Sequence, residues 1–148
     1  METPFYFPVV VRQLSEQRFQ AHLPDLPETA RQHTTLEGAL HAVNEALTTA
    51  IALRMRRNQP LPIPAAPRSK ERYWATLPAL LAAKALLYRT MRQQGLSKTA
   101  LAKKLNHDEK EIRRLLDPNH PSKLARLENA LTVLGLQLIL TVRQAPTP

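Results

Sequence analysis

Residues 97–116, SKTALAKKLNHDEKEIRRLL, hold two short amphipathic runs with a break of three or four residues between them. Helices this short are marginal in water on their own. They persist only when locked against each other and a larger core, and the lock asks for particular residues. Ser97 is a good N-cap for the first run. Leu101 and Leu105 face the core, and Ala102 is small where two helices come closest. Asn106 stands in the break, where a left-handed backbone is wanted and glycine or asparagine tolerates it best. Asp108 can cap the second run, with Glu111 as a capping-box-like pair. Ile112, Leu115 and Leu116 then turn inward. This is the residue pattern of a helix-turn-helix, whose second helix lies in the major groove of DNA.

Glu109, Lys110, Arg113 and Arg114 then project outward from the second run. Lys110 and Arg113 are the candidates for base edges, because Lys and Arg pair with guanine O6 and N7. Arg114 and Lys98 are candidates for phosphate, with Thr99, Lys103, Lys104 and Lys123 completing the expected DNA-binding set. Glu109 can accept from cytosine N4 or serve the positive end of its helix. His107 stands where an apolar residue is more usual and reads as a partly exposed turn residue. It has no second histidine at ligand spacing, and His120 lies in a Pro-Asn-His-Pro loop, so no metal is expected.

The charge distribution points the same way. Residues 1–67 carry six bases (Arg12, Arg18, Arg31, Arg54, Arg56, Arg57) and six acids (Glu2, Glu16, Asp25, Glu28, Glu37, Glu45). The net charge of +9 therefore lies wholly in residues 68–148, as expected of a polyanion-binding module. Between the halves runs PLPIPAAPRSKER, residues 60–72, in which Pro60, Pro62, Pro64 and Pro67 remove backbone donors and favour extended chain. A domain boundary is expected near residue 68, giving domains 1–67 and 68–148.

The first half reads as β-β-β-α-β. FYFPVVVRQL is β-branched and aromatic, with Pro8 suggesting an edge position or a strand end. RFQAHL alternates, and TARQHT is a weaker third strand. Thr35 can cap a helix whose Leu36, Leu40, Val43, Leu47 and Ile51 recur at helical spacing. LPIP is expected to return as a short strand. The second half is mostly helical. Gly95 closes LPALLAAKALLYRTMRQQG, and PSKLARLENALTVLG runs from a Ser122 cap to Gly135, with Leu124, Leu127, Leu131 and Leu134 on one stripe. LQLILTVR alternates and reads as a C-terminal strand. The expected fold class is α+β, with a β-β-β-α-β domain followed by an all-α domain and that short strand.

Composition narrows the function classes. The chain has 148 residues and no cysteine, which removes disulfides, thiolate zinc sites and thiol catalysis and suits a reducing cytoplasm. It has no long apolar run for a membrane span, and METPFYFPVVVRQL lacks the features of a signal peptide. Three glycines and no G-x-x-x-x-G-K or G-x-G-x-x-G argue against a phosphate-cradling loop and its nucleotide cofactor.

FPVVVRQL, FQAHLPDLPETARQHTTLEGALHAVNEAL and LPIPAAP in the first half resemble the opening domain of the HicB antitoxins of bacterial HicA–HicB pairs. LPALLAAKALLYRTMRQQGLSKTALAKKLNHDEKEIRRLLDPNHPSKLARLENALTVLG in the second resembles the DNA-binding version of that family. The pieces that carry most are PDLPE and RLLDPNHPSKL. The resemblance implies a partial ribonuclease-H-like domain without nuclease activity, joined to a helix-turn-helix. It implies a small RNA-cleaving HicA-like toxin masked by the first domain, and operator DNA bound by the second as a dimer. Glu16, Asp25 and Glu28 are the expected acidic contacts for the toxin. A two-metal nuclease needs convergent carboxylates, and Asp25 and Glu28 flanking a proline turn are explained by chain reversal alone. No enzyme and no cofactor are expected. The competing reading is a dimeric transcription factor whose first domain senses a ligand or only dimerises.

Overall fold

The computed structural model describes residues 5–64 and 72–144. The expected boundary near residue 68 lies outside them. The described residues fall into two compact units. One takes the chain as far as Ile51, then Pro62–Leu77 and the chain from Arg143; the other takes Ala52–Leu61 and Pro78–Val142.

The first unit is an antiparallel sheet with a helix. β1 (Tyr6–Ser15), β2 (Arg18–Leu23), β3 (Leu26–His33) and β4 (Tyr73–Thr76) lie in the order β3-β2-β1-β4, and α1 (Leu36–Arg56) stands between β3 and β4 in sequence. β1 holds the sheet together by pairing in two halves. Val10–Ser15 face β2, and Tyr6–Val9 face β4 in the register Phe7↔Ala75 and Pro8↔Trp74. Pro8, which lacks a ladder donor, thus sits near the start of β1 in the half with one neighbour. The β2–β3 reversal takes only Pro24 and Asp25, and the buried Thr29 hydroxyl closes it, accepting from Leu23 N (3.1 Å) and donating to Leu26 O (2.6 Å). β3 therefore begins three residues before the expected TARQHT and includes Pro27 on an exposed edge.

Thr35 caps α1 as expected, its Oγ1 accepting from Gly38 N at 3.0 Å. Gly38 lies against the His33 ring, so a Cβ there would force that exposed side chain to move. Phe7, Val9, Ala21, Leu23 and Leu26 from the strands, with Ala39, Val43, Leu47 and Ile51 from α1, supply the buried apolar side chains. Leu36 and Leu40, expected on that stripe, are only half-buried.

Two strand expectations are corrected. LPIP forms no strand, because alternate prolines offer no ladder donors; Tyr73–Thr76 closes the sheet instead. LQLILTVR is not a strand either. Its alternation is used differently: Leu136 and Leu138 pack against helices, while Ile139, Leu140 and Val142 are exposed.

The second unit packs α2 (Ala79–Gln94), α3 (Lys98–Leu105), α4 (Glu109–Leu116) and α5 (Leu124–Val133) around Leu87, Met91, Leu101, Ala102, Ile112, Leu115, Leu127 and Leu131. Gly95 ends α2 in the left-handed region (φ 63°), with Leu96 N bonded to Met91 O at 2.9 Å. The Ala52–Leu61 segment is tied to α2 by Tyr88 Oη donating to Gln59 O (2.6 Å) and Arg92 donating to Asn58 O (2.9 Å).

Candidate nucleic-acid interface

The α3–α4 pair forms as its sequence demands. Ser97 Oγ accepts from Ala100 N at 3.0 Å, and Asp108 Oδ1 accepts from Glu111 N at 2.9 Å. Between them Asn106 takes the left-handed conformation (φ 53°, ψ 44°), and His107 is an exposed turn residue. Ile112 and Leu115 are buried and Leu116 is half-buried, which fixes the outward face of α4.

The expected DNA-binding residues divide into tied and untied groups. Thr99 Oγ1 donates to the Glu109 carboxylate, so these two link α3 to the start of α4. Arg114 is bound to Glu111 at 2.7 Å, and Arg126 of α5 reaches the same carboxylate at 2.6 Å. Glu111 thus spends its side chain joining α4 to α5 and not on the reciprocal half of a capping box. Lys110 and Arg113, by contrast, are exposed on α4 with no hydrogen bond or ion pair among the described residues. Lys98, Lys103 and Lys104 on α3 and Lys123 at the start of α5 are exposed and unpaired in the same sense. An exposed cation without a partner keeps its full charge for a phosphate or a base edge.

Two residues escaped the sequence reading. Arg126 is one, since nothing in its local pattern marks its partner on another helix. Lys84 is the other. It falls at helical spacing between Leu80 and Leu87 on the apolar stripe of α2, which was signal enough, and it is fully buried. Its Nζ donates to Arg114 O, Asp117 O and Ser122 Oγ. Ser122 is therefore no cap; Lys123 holds the N-cap position of α5, and the serine hydroxyl turns back to the lysine. Burial lowers the Lys84 ammonium from the ordinary lysine value of 10.5, and the Asp117 carboxylate opposes that shift.

The expected toxin contacts do not form one cluster. Glu16 lies in the β1–β2 turn, whereas Asp25 lies in the β2–β3 turn at the opposite end of β2, with Glu28 on β3 beside it. Among the described residues no group of three or more acids and histidines is placed to hold a metal. Nor is any described helix long and apolar enough to cross a membrane.

The sequence matches known proteins. A family model described as "HicB_like antitoxin of bacterial toxin-antitoxin system" matches residues 6–86. The chain belongs to that family of antitoxins. "Antitoxin HicB" of Pseudomonas fluorescens (strain Pf0-1) is 34% identical over 121 residues, covering 82% of this chain and 83% of the relative. "Antitoxin HicB 2" of Photorhabdus laumondii is 35% identical over 115 residues, 78% of this chain and 81% of that protein. "Antitoxin HicB" of Escherichia coli K12 is 27% identical over 136 residues, 92% and 98% of the two chains.

Proposed function

We propose that this antitoxin masks a small HicA-like mRNA-cleaving toxin through its N-terminal α+β domain and represses its own operon by binding operator DNA through α3 and α4. The division of work between residues 1–67 and 68–148 belongs to this reading, with β4 (Tyr73–Thr76) completing the sheet of the first part, as does a non-enzymatic role in the cytoplasm. The observation that carries it is the pair Lys110 and Arg113, exposed and unpaired on the outer face of α4 while the neighbouring Glu111 and Arg114 are engaged. Lys98, Lys103, Lys104 and Lys123 supply phosphate contacts around that face. Thr99 and Glu109 act by holding the start of α4.

One recognition helix touches only a few base pairs, so useful specificity takes two half-sites and a homodimer or higher homo-oligomer. The exposed apolar side chains of Ile139, Leu140 and Val142 support association with a second copy. Glu16 and the Asp25–Glu28 pair face different ends of the sheet, so a toxin docked at one end uses only one of them.

The test is co-expression with the product of the neighbouring small gene, followed by pull-down and a duplex of the chain's own promoter. Stoichiometric recovery, rescue of growth and promoter binding are expected. Promoter binding with no protein partner would leave a repressor alone and remove the toxin from the reading.

A further inference from the structure

Lysine is almost never fully buried unless its charge is met. Lys84 is 0% exposed, and its Nζ donates to Asp117 O at 2.7 Å, Arg114 O at 2.8 Å and Ser122 Oγ at 2.9 Å. An ammonium has three N–H groups, so every donor has an acceptor. All three acceptors belong to the end of α4 and the loop that follows it. Arg114 O lies in the last turn of α4, at the negative end of its dipole, where it also accepts from Asp117 N at 3.3 Å. Asp117 is the C-cap.

The loop is folded around this ammonium. Asn119 N donates to Asp117 Oδ1 (2.9 Å), His120 N to Asp117 O (3.1 Å) and Ser122 N to His120 O (2.8 Å). Ser122 Oγ also donates to Arg114 O (3.3 Å) and meets His120 Nδ1 at 3.0 Å. The apolar contacts of Ile112 and Leu115 hold α4 against the core, but such contacts are non-directional. They resist removal of the helix better than they resist its sliding or rolling. Thr99 ties the start of α4 through Glu109 and Arg126 holds its Glu111, while the three directed bonds from Lys84 fix its C-terminal end and the loop that follows.

We propose that Lys84 is a positioning residue for DNA recognition, setting from α2 the register in which α4 presents Lys110 and Arg113. This rests on the DNA-reading function proposed above. A base-edge contact demands placement within about half an ångström, a tolerance that apolar packing alone does not guarantee.

The test uses the full chain with Lys84→Met, which keeps the apolar stem and deletes the donors, and Ser122→Ala, which removes one acceptor. Affinity is measured in parallel for the promoter duplex and a scrambled duplex at one salt concentration, beside thermal unfolding. Lys84→Met should lose about tenfold in promoter affinity, the scale of charged hydrogen bonds. Scrambled-duplex affinity, set by surface charge, should stay within about twofold. Ser122→Ala should shift the ratio the same way by less. A folded Lys84→Met with wild-type preference, or with equal loss on both duplexes, overturns the proposal. If Lys84→Met does not fold, an unchanged preference in Ser122→Ala overturns it. A wild-type chain without preference would instead overturn the DNA reading, and this proposal with it.

Discussion

In the helical unit, the ends of α3 and α4 are set by residues within a few positions of them: Ser97 and Asp108 at the starts, Asn106 at the break. In the sheet unit, the partner of Tyr6–Val9 is Tyr73–Thr76, which arrives only after α1 and the proline segment. The first kind of geometry is assembled from local rules, the second from one long closure whose entropy is met before its contacts form. Local devices fail one at a time; a sheet closed from afar fails as a whole.

The largest test of that contrast is Phe7→Ala. Phe7 is completely buried in the half of β1 that β4 covers. Losing the ring should cost about 3–5 kcal/mol, a large share of a small domain's stability. The chain's single tryptophan, Trp74, stacks on Tyr6 in that region at 4.4 Å, so its fluorescence reports on the sheet. The urea midpoint read at Trp74 should fall steeply. An unmoved midpoint would mean that β4 contributes little to closing the sheet.

Arg113→Ala comes next, and it separates recognition from folding. The side chain is exposed and makes no hydrogen bond or ion pair among the described residues, so thermal unfolding should be unchanged. Promoter affinity should fall by about 1–3 kcal/mol, the worth of one good base contact. Equal affinity for promoter DNA would take Arg113 out of the interface.

Asp108→Ala probes a local device directly. Losing an N-cap costs typically about 1 kcal/mol. That loss should appear in the helical circular dichroism signal while the Trp74 transition keeps its midpoint. A matching shift at Trp74 would show that the two units unfold as one and would dissolve the contrast.

The same contrast explains what could be read from the chain in advance. The caps Thr35, Ser97 and Asp108, the Asn106 turn and the inward Ile112 and Leu115 were legible because each follows from a residue and its near neighbours. β4 was not, because LPIP and YWAT compete for one place and only the missing proline donors decide between them. LQLILTVR misled for a related reason: alternation records which side chains are buried, and two leucines set against helices produce it without a ladder. The free cations Lys110 and Arg113 were visible as an outward face, but the ties that engage Thr99 with Glu109 and Glu111 with Arg126 depend on partners in other helices. Lys84 is concealed by the apolar helical pattern around it. A charge in a buried stripe, opposite a helix end whose last carbonyls accept further hydrogen bonds, is the pattern that marks it.

The smallest effect concerns that lysine, and its sign follows from burial. Lys84 and Lys110 lie on opposite sides of the same problem, one beneath α4 and one on its face. Desolvation lowers the Lys84 ammonium below 10.5, Asp117 raises it in part, and His120 faces it through the Ser122 hydroxyl. Between the lowered value and 10.5 the unfolded chain holds a proton that the folded chain has released. Stability contributed through this group therefore rises with pH across that window, and below the window it is flat. Subtracting the urea stability of Lys84→Met from that of the wild type cancels the other titrating groups. The difference should climb as the pH is raised towards 10.5. A difference that falls over that range would mean that the three acceptors outweigh desolvation and hold the charged form more tightly in the fold than in water.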